Sequence, residues 1–121
     1  MNTGASRIFR RAANPVIVPA TDVASQVAVP MLPEGSTTFS AVNSYPVWIR
    51  LKGTGYAATF SPVQEGEGWL FPPGHFGIYA TQFPKWMSAI AVDRPGFPIK
   101  DANGVLLYPN ASLEVAYGSG A

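Results

Sequence analysis

The sequence predicts an all-β fold: an antiparallel sandwich or barrel of jelly-roll type, with about seven to eight short strands and an extended N-terminal arm. Three observations predict it. Twelve prolines and twelve glycines punctuate the 121 residues, so a helix of ordinary length would meet one of them. Short runs of residues alternate between apolar and polar side chains. Turn residues separate these runs at regular intervals, which is typical of sandwiches and barrels.

The N-terminal residues 1–35 are predicted to form the extended arm. The stretch from Asn14 to Pro33 contains four prolines, counting Pro33 itself, and each removes a backbone N–H donor. The segment therefore cannot be a central strand, although it can pair along an edge. We expect residues 36–121 to form the compact β domain.

The clearest strand of the compact domain runs from Tyr45 to Lys52. Its apolar residues alternate with Trp48, Arg50 and Lys52, which predicts one buried and one exposed face; the apolar set is Tyr45, Val47, Ile49 and Leu51. Further strands are predicted over residues 36–42, 56–60, 69–71, 75–81, 87–92, 105–108 and 112–117.

Two details of these strands concern the aromatic residues. In the strand over residues 75–81, Phe76, Ile78 and Ala80 share one face, and Phe76 is the residue that we expect in the core. Residues 82–86, which end at Trp86, are predicted to be a loop.

The chain contains few residues that could act in catalysis, since it has one histidine, seven carboxylates and no cysteine. His75 would have to serve as the base of any serine nucleophile, and no surrounding motif supports that role. We therefore expect no enzyme, no cofactor and no metal site, because zinc and copper need more His or Cys ligands. The net charge of +1 argues against a nucleic-acid partner. The sequence contains no run of about 18 apolar residues, so it predicts no membrane span.

Binding chemistry, in contrast, is present in two places. Three arginines lie in the first eleven residues, where they suit phosphate or carboxylate groups of a partner. A second concentration, of aromatic and proline residues, extends from Trp69 to Trp86, and such rings suit either an interface hot spot or a sugar-stacking platform. The predicted partner-binding residues are Arg7, Arg10, Arg11, Trp48, Trp69, Phe71, Tyr79, Phe83 and Trp86.

The charged share also indicates a binding or assembly role. Charged residues make up 12% of the chain and hydrophobic residues 47%. This is roughly half of the charged share that a soluble domain usually has. A surface so poor in charge fits a chain whose exterior is partly covered by partners.

Three segments, PVWIRLKG, EGEGWLFPPGHFGIYATQ and MSAIAVDRPGFP, resemble small structural proteins of tailed bacteriophages. The resemblance implies a non-enzymatic virion protein, a sandwich subunit that decorates or cements a capsid. Its partners would be the major capsid protein or another virion protein and sister copies in a homo-oligomer, and it would be assembled in the host cytoplasm. The alternative is a carbohydrate-binding or receptor-binding β-sandwich module that uses Trp48, Trp69 or Trp86 as a stacking ring.

Overall fold

Antiparallel strands account for the regular structure of the part of the chain that the structure describes. The computed structural model describes residues 10–11, 15–29, 38–55, 59–80 and 84–119. Within these ranges the strands are β1 (Arg10–Arg11), β2 (Val16–Pro19), β3 (Val27–Ala28), β4 (Thr38–Asn43), β5 (Trp48–Gly55), β6 (Trp69–Phe71), β7 (Phe76–Ala80), β8 (Pro84–Val92) and β9 (Ser112–Ser119).

The strands form two sheets, which we call sheet A and sheet B. Sheet A has the order β2–β9–β4–β7, and β1 continues the β2 edge along β9. Sheet B has the order β3–β8–β5–β6. The pairs are nested, because β2 pairs with β9, β3 with β8, β4 with β7 and β5 with β6. This is a long antiparallel double strand rolled into two sheets, the arrangement of a jelly roll. The predicted all-β antiparallel sandwich is confirmed, and the described strands do not close into a barrel.

The core lies between the two sheets and follows the two-residue period of the strands. The predicted faces of β5 are confirmed, since Ile49 and Leu51 are fully buried while Trp48, Arg50 and Lys52 are half-buried on the outer face. The strand itself begins at Trp48 and extends to Gly55. The buried side chains from the other strands include Val18, Phe39, Ala41, Phe71, Met87, Ala89, Leu113, Val115 and Tyr117.

Residues 15–29 first form an edge of sheet A, through β2, and then an edge of sheet B, through β3. After β2, the Ala20 N–H donates to the Ala111 carbonyl at 2.8 Å, still along β9. The chain then crosses to sheet B, where the Thr21 carbonyl accepts the Ala91 N–H at 2.8 Å. Val18, Ala20 and Val29 are part of the core. The division of the chain after residue 35 stays a prediction, and this part of the predicted arm is an edge of the sandwich.

Several predictions made for individual residues are wrong. Trp86 lies in β8 and not in a loop. Val105 belongs to no strand, because residues 99–107 form a hairpin-like turn with an isolated bridge between Lys100 and Leu106. The predicted strand over residues 56–60 falls partly outside the described residues, and positions 59 and 60 are not in a strand.

The two faces of β7 are the reverse of those predicted, since Phe76 is 57% exposed. The register pairs Phe39 with Tyr79 and Val42 with Phe76, and Phe39 points into the core. Tyr79 therefore points inward, where its ring folds over Gly77. A Cβ atom at Gly77 would lie 2.6 Å from the Tyr79 hydroxyl oxygen, so any larger residue at this position would displace the Tyr79 ring.

A fully buried amide, that of Asn43, connects the two sheets at the end of β4. Its Nδ2 donates to the carbonyls of Val47 at 2.7 Å, Phe71 at 3.2 Å and Pro72 at 3.1 Å. Its Oδ1 accepts the Tyr45 N–H at 3.1 Å. Because buried carbonyls are costly to leave without a donor, this side chain holds the entry to β5 and the exit from β6 together.

We expect Asn43→Ala to lower the free energy of unfolding by about 3 kcal/mol, because it leaves several buried polar groups without partners. Chemical denaturation would measure the change. The exposed neighbour Ser44 provides the control, and Ser44→Ala should stay within about 0.5 kcal/mol of the wild type. An Asn43→Ala variant as stable as this control would show that the amide does not hold the sheets together.

Candidate functional site

The predicted partner-binding residues do not form one site. Arg7 and Phe83 lie outside the described residues. The backbone of Arg10 and Arg11 forms β1, where it pairs with Ser119 and Gly118. The remaining residues divide between the core, which holds Trp69, Phe71 and Tyr79, and the outer face of sheet B, which carries Trp48 and Trp86.

The core group is an aromatic cluster around Phe39. The ring centroid of Phe39 lies 5.1 Å from that of Trp69 and 5.6 Å from that of Tyr79. Phe71 packs edge-on against Tyr79 at 5.4 Å and is fully buried, so its predicted contact with a partner is replaced by a role in the core. The Tyr79 hydroxyl is paired with Nε2 of His75 at 2.9 Å. These rings therefore stabilise the sandwich, and only Trp69 and Tyr79 remain partly accessible.

Trp48 and Trp86 lie on the same outer face but far apart. In the pairing of β5 with β8, Trp48 is opposite Val92, whereas Trp86 is opposite Thr54. Six strand residues separate the two positions, which corresponds to roughly 20 Å. Trp86 packs against Phe60, with ring centroids 6.1 Å apart. The two tryptophans thus cannot stack on one small ligand.

A segment that we call the strap, residues 59–68, lies over the outer face of sheet B. Its Val63 N–H donates to Oγ of Ser88 at 3.0 Å. From the sheet, Lys52 Nζ reaches Oε2 of Glu67 at 3.1 Å, and Arg50 Nη1 donates to the Glu67 carbonyl at 3.0 Å. The strap ends at Gly68, where φ is +64° and a Cβ atom would collide with a β5 carbonyl oxygen. Glycine at this position lets the strap approach the sheet closely.

A cleft of about 560 Å³ opens between the strap and the turn that follows β8. Ile90 and Val92 are among its apolar lining residues, and Arg50, Gln64, Glu65 and Arg94 contribute polar groups. The Arg94 guanidinium lies 5.5 Å from the centroid of the adjacent Trp48 ring. Nε1 of Trp48 is buried and has no hydrogen-bond partner. An apolar surface with a few converging polar groups is typical of small-molecule sites.

The outer face of sheet A carries large exposed apolar side chains, and we call it the apolar face. One row across the sheet consists of Ile17, Glu114, Val42 and Phe76, as the strand registers show. Ile17 is 54% exposed and Phe76 57%. Ile78, in the next row, is 36% exposed. Among the described side chains of this face, Glu114 is the one that carries a charge.

Sequence reasoning missed the apolar face, although part of its signal was visible. The alternation of Phe76, Ile78 and Ala80 predicts one face of a strand, but the expectation that Phe76 lies in the core is wrong. The prolines around Ile17 predict only an extended arm. The pairing of β2 with β9 and of β4 with β7 brings these residues onto one surface.

Comparisons with protein-family models, with curated proteins and with solved structures found no match. Within the described ranges, no cluster of three or more His, Cys, Asp or Glu residues could hold a metal ion. The same ranges contain no helix with the length and apolar character needed to cross a membrane.

The strap gives a pH-dependent prediction through Glu67. The hydrogen bond from Lys52, together with that from the Gln64 N–H, holds the pKa of this carboxyl group below its ordinary value. A lowered folded-state pKa stabilises the fold above the pKa of the unfolded chain, and the effect is lost as the pH falls through the folded-state value.

We therefore expect Glu67→Gln to lower the thermal midpoint at neutral pH, by an amount that shrinks as the solution is acidified. Differential scanning calorimetry across the acidic range would measure both variants. Glu65→Gln, at an exposed position two residues away, is the matched control and should leave the midpoint unchanged. A Glu67→Gln deficit that stays constant with pH would contradict the assigned role of the carboxylate.

Proposed function

We propose that this chain is a non-enzymatic structural subunit of a virus particle, a capsid decoration or cement protein that binds the shell. The observation that carries the proposal is the apolar face of sheet A. Soluble monomers seldom expose large contiguous apolar patches, and such patches commonly mark protein interfaces. Phe76 and Ile78 are exposed on the same face of β7, and Ile17 is exposed at the other end of the row that contains Phe76.

The shape of the apolar face favours a protein partner over a small ligand. A sheet presents a broad, gently twisted surface, and its side chains stand perpendicular to it. The row from Ile17 to Phe76 crosses four strands. A flat protein surface can cover all of it, whereas a small molecule needs a concave site.

The sequence supports the viral part of the proposal. Three segments between residues 46 and 98 resemble small structural proteins of tailed bacteriophages, and the chain has half the usual share of charge. Jelly rolls occur in viral capsids and in lectins, which by analogy of fold is compatible with the same class. The partner would be the major capsid protein or another virion protein.

The described part of the N-terminal segment is occupied within its own sandwich. Residues 16–19 pair with β9, and residues 27–28 pair with β8. We therefore assign shell binding to the apolar face, to which this segment contributes the side chain of Ile17, and not to the backbone of residues 15–29.

The test is co-sedimentation with tailed-phage capsid shells that lack their decoration protein. The double variant Ile17→Glu, Phe76→Glu places two charges in the interface, and we expect at least about tenfold weaker binding, since losing 1.4 kcal/mol suffices for that. Val23→Glu changes an equally apolar and exposed residue away from this face, and should bind like the wild type. Wild-type protein that ignores every shell, or a double variant that binds normally, would contradict the proposal.

The cleft beside Trp48 favours a second function, the binding of a sugar. A pyranose presents both an apolar face and a rim of hydroxyl groups. The apolar lining at Ile90 and Val92 suits the former. Arg50, Gln64 and Glu65 suit the latter.

Ligand-observed NMR with a panel of neutral and acidic monosaccharides would test this second function. We expect binding in the wild type and a loss of at least about tenfold in Arg94→Ala, because the cleft loses a wall and a charged donor. Trp86→Ala removes an aromatic ring far from the cleft and serves as the control. Signals that are unchanged by Arg94→Ala, or absent for every sugar, would exclude the cleft as a sugar site.

A further inference from the structure

The four edges of the two sheets differ in how they resist pairing with another chain. Along one edge of sheet A, β2 follows Pro15 and ends at Pro19. In sheet B, the edge strands β3 and β6 have two and three residues, and β6 is followed by Pro72. Prolines and short strands are the usual protection of sheet edges. The remaining edge strand, β7, has five residues, FGIYA, with no proline and no charge.

The register of β7 shows which of its backbone groups face the open edge. The Asn43 N–H donates to the His75 carbonyl at 2.9 Å, so the backbone carbonyl of His75 faces β4. Hydrogen-bonded positions alternate in an antiparallel pair, and Gly77 and Tyr79 therefore also face β4. The N–H and C=O groups of Phe76, Ile78 and Ala80 point the other way. No described strand pairs with them.

We propose that β7 pairs in antiparallel fashion with β7 of a second copy of this chain, about a twofold axis at Ile78. In this register Ile78 faces its own counterpart, and the bulky Phe76 faces the small Ala80. The outward donors and acceptors of each strand meet acceptors and donors of the other, which gives about six backbone hydrogen bonds. A twofold interface is self-complementary in this way, since each contact occurs twice.

The composition of β7 and β4 favours a second copy as the occupant of the edge. Neither strand contains a charged residue, so two copies approach without repulsion between like charges. The two apolar faces would then join into one continuous surface, with Phe76 and Ile78 at its centre. A contact made through one five-residue strand is small beside the roughly 800 Å² per partner of a standard interface, so we expect a weak dimer that forms at high protein concentration. The inference does not depend on the viral function.

Cysteine crosslinking tests the axis directly, because the natural chain contains no cysteine. In a hydrogen-bonded antiparallel pair the two Cα atoms lie about 5.5 Å apart, a separation that a short bismaleimide crosslinker spans. Ile78→Cys should form a covalent dimer with such a crosslinker. Ile17→Cys lies exposed on the same sheet face but on another strand, and should remain monomeric. Equal crosslinking of both variants, or none at Ile78→Cys, would overturn the proposal.

A charge exchange tests the same register without a covalent bond. Ile78→Lys and Ile78→Glu each place like charges opposite each other at the axis, so each variant alone should sediment as a monomer where the wild type is a dimer. An equimolar mixture should recover the dimer, because Lys then faces Glu. Circular dichroism would verify that both variants are folded. A mixture that stays monomeric, or a wild type that is monomeric at high concentration, would refute pairing through β7.

These measurements are independent of the shell-binding assay. Ile17 lies on the apolar face and outside the β7 pairing, so Ile17→Glu alone reports on shell binding. A chain that dimerises through β7 and ignores shells would retain this inference and lose the proposed function. The opposite result would retain the function alone.

Discussion

The buried amide of Asn43 is the interaction on which the arrangement of the other elements depends. The rolled double strand must leave sheet A after β4 and enter sheet B at β5, and at this point backbone carbonyls lose water without gaining strand partners. The Asn43 side chain donates to three of them. Its own N–H bonds the His75 carbonyl. Since its Nδ2 also bonds the Pro72 carbonyl, Asn43 contacts both ends of the turn between β6 and β7.

Fixing that turn determines what the protein presents to solvent. A shift of one residue in β7 would exchange its inner and outer side chains. In the observed register, Tyr79 completes the cluster around Phe39, and its hydroxyl is satisfied by His75. Phe76 and Ile78 are consequently outside, at the edge of sheet A. The exposed apolar face and the open edge of sheet A thus follow from the packing of Tyr79 in the core.

The sequence predicted the fold class and the faces of β5, because only one of its alternating sets is apolar. Alternation defines two sets of residues and does not say which of them is buried. In β7 both sets contain an aromatic residue, so alternation alone does not decide which set is buried. The prolines near Val16 correctly excluded a central strand, but edge pairing with both sheets depends on distant partners, β9 and β8. Asn43 gave no signal, since a single polar residue at a strand end also suits solvent.

The outer faces of the two sheets differ in how far other segments of the chain cover them. On sheet B, Lys52 and Arg50 are occupied by the strap, and Ser88 is buried beneath it. That face offers a cleft and no broad surface. On sheet A, Ile17 and Phe76 remain exposed at the two ends of one row. Among the described side chains of this row, Glu114 is the one that carries a charge and so opposes burial against another protein. The apolar face is therefore the broader of the two outer sheet surfaces on which a protein partner would remove apolar side chains from water, and burial of such area is the main driving force of association.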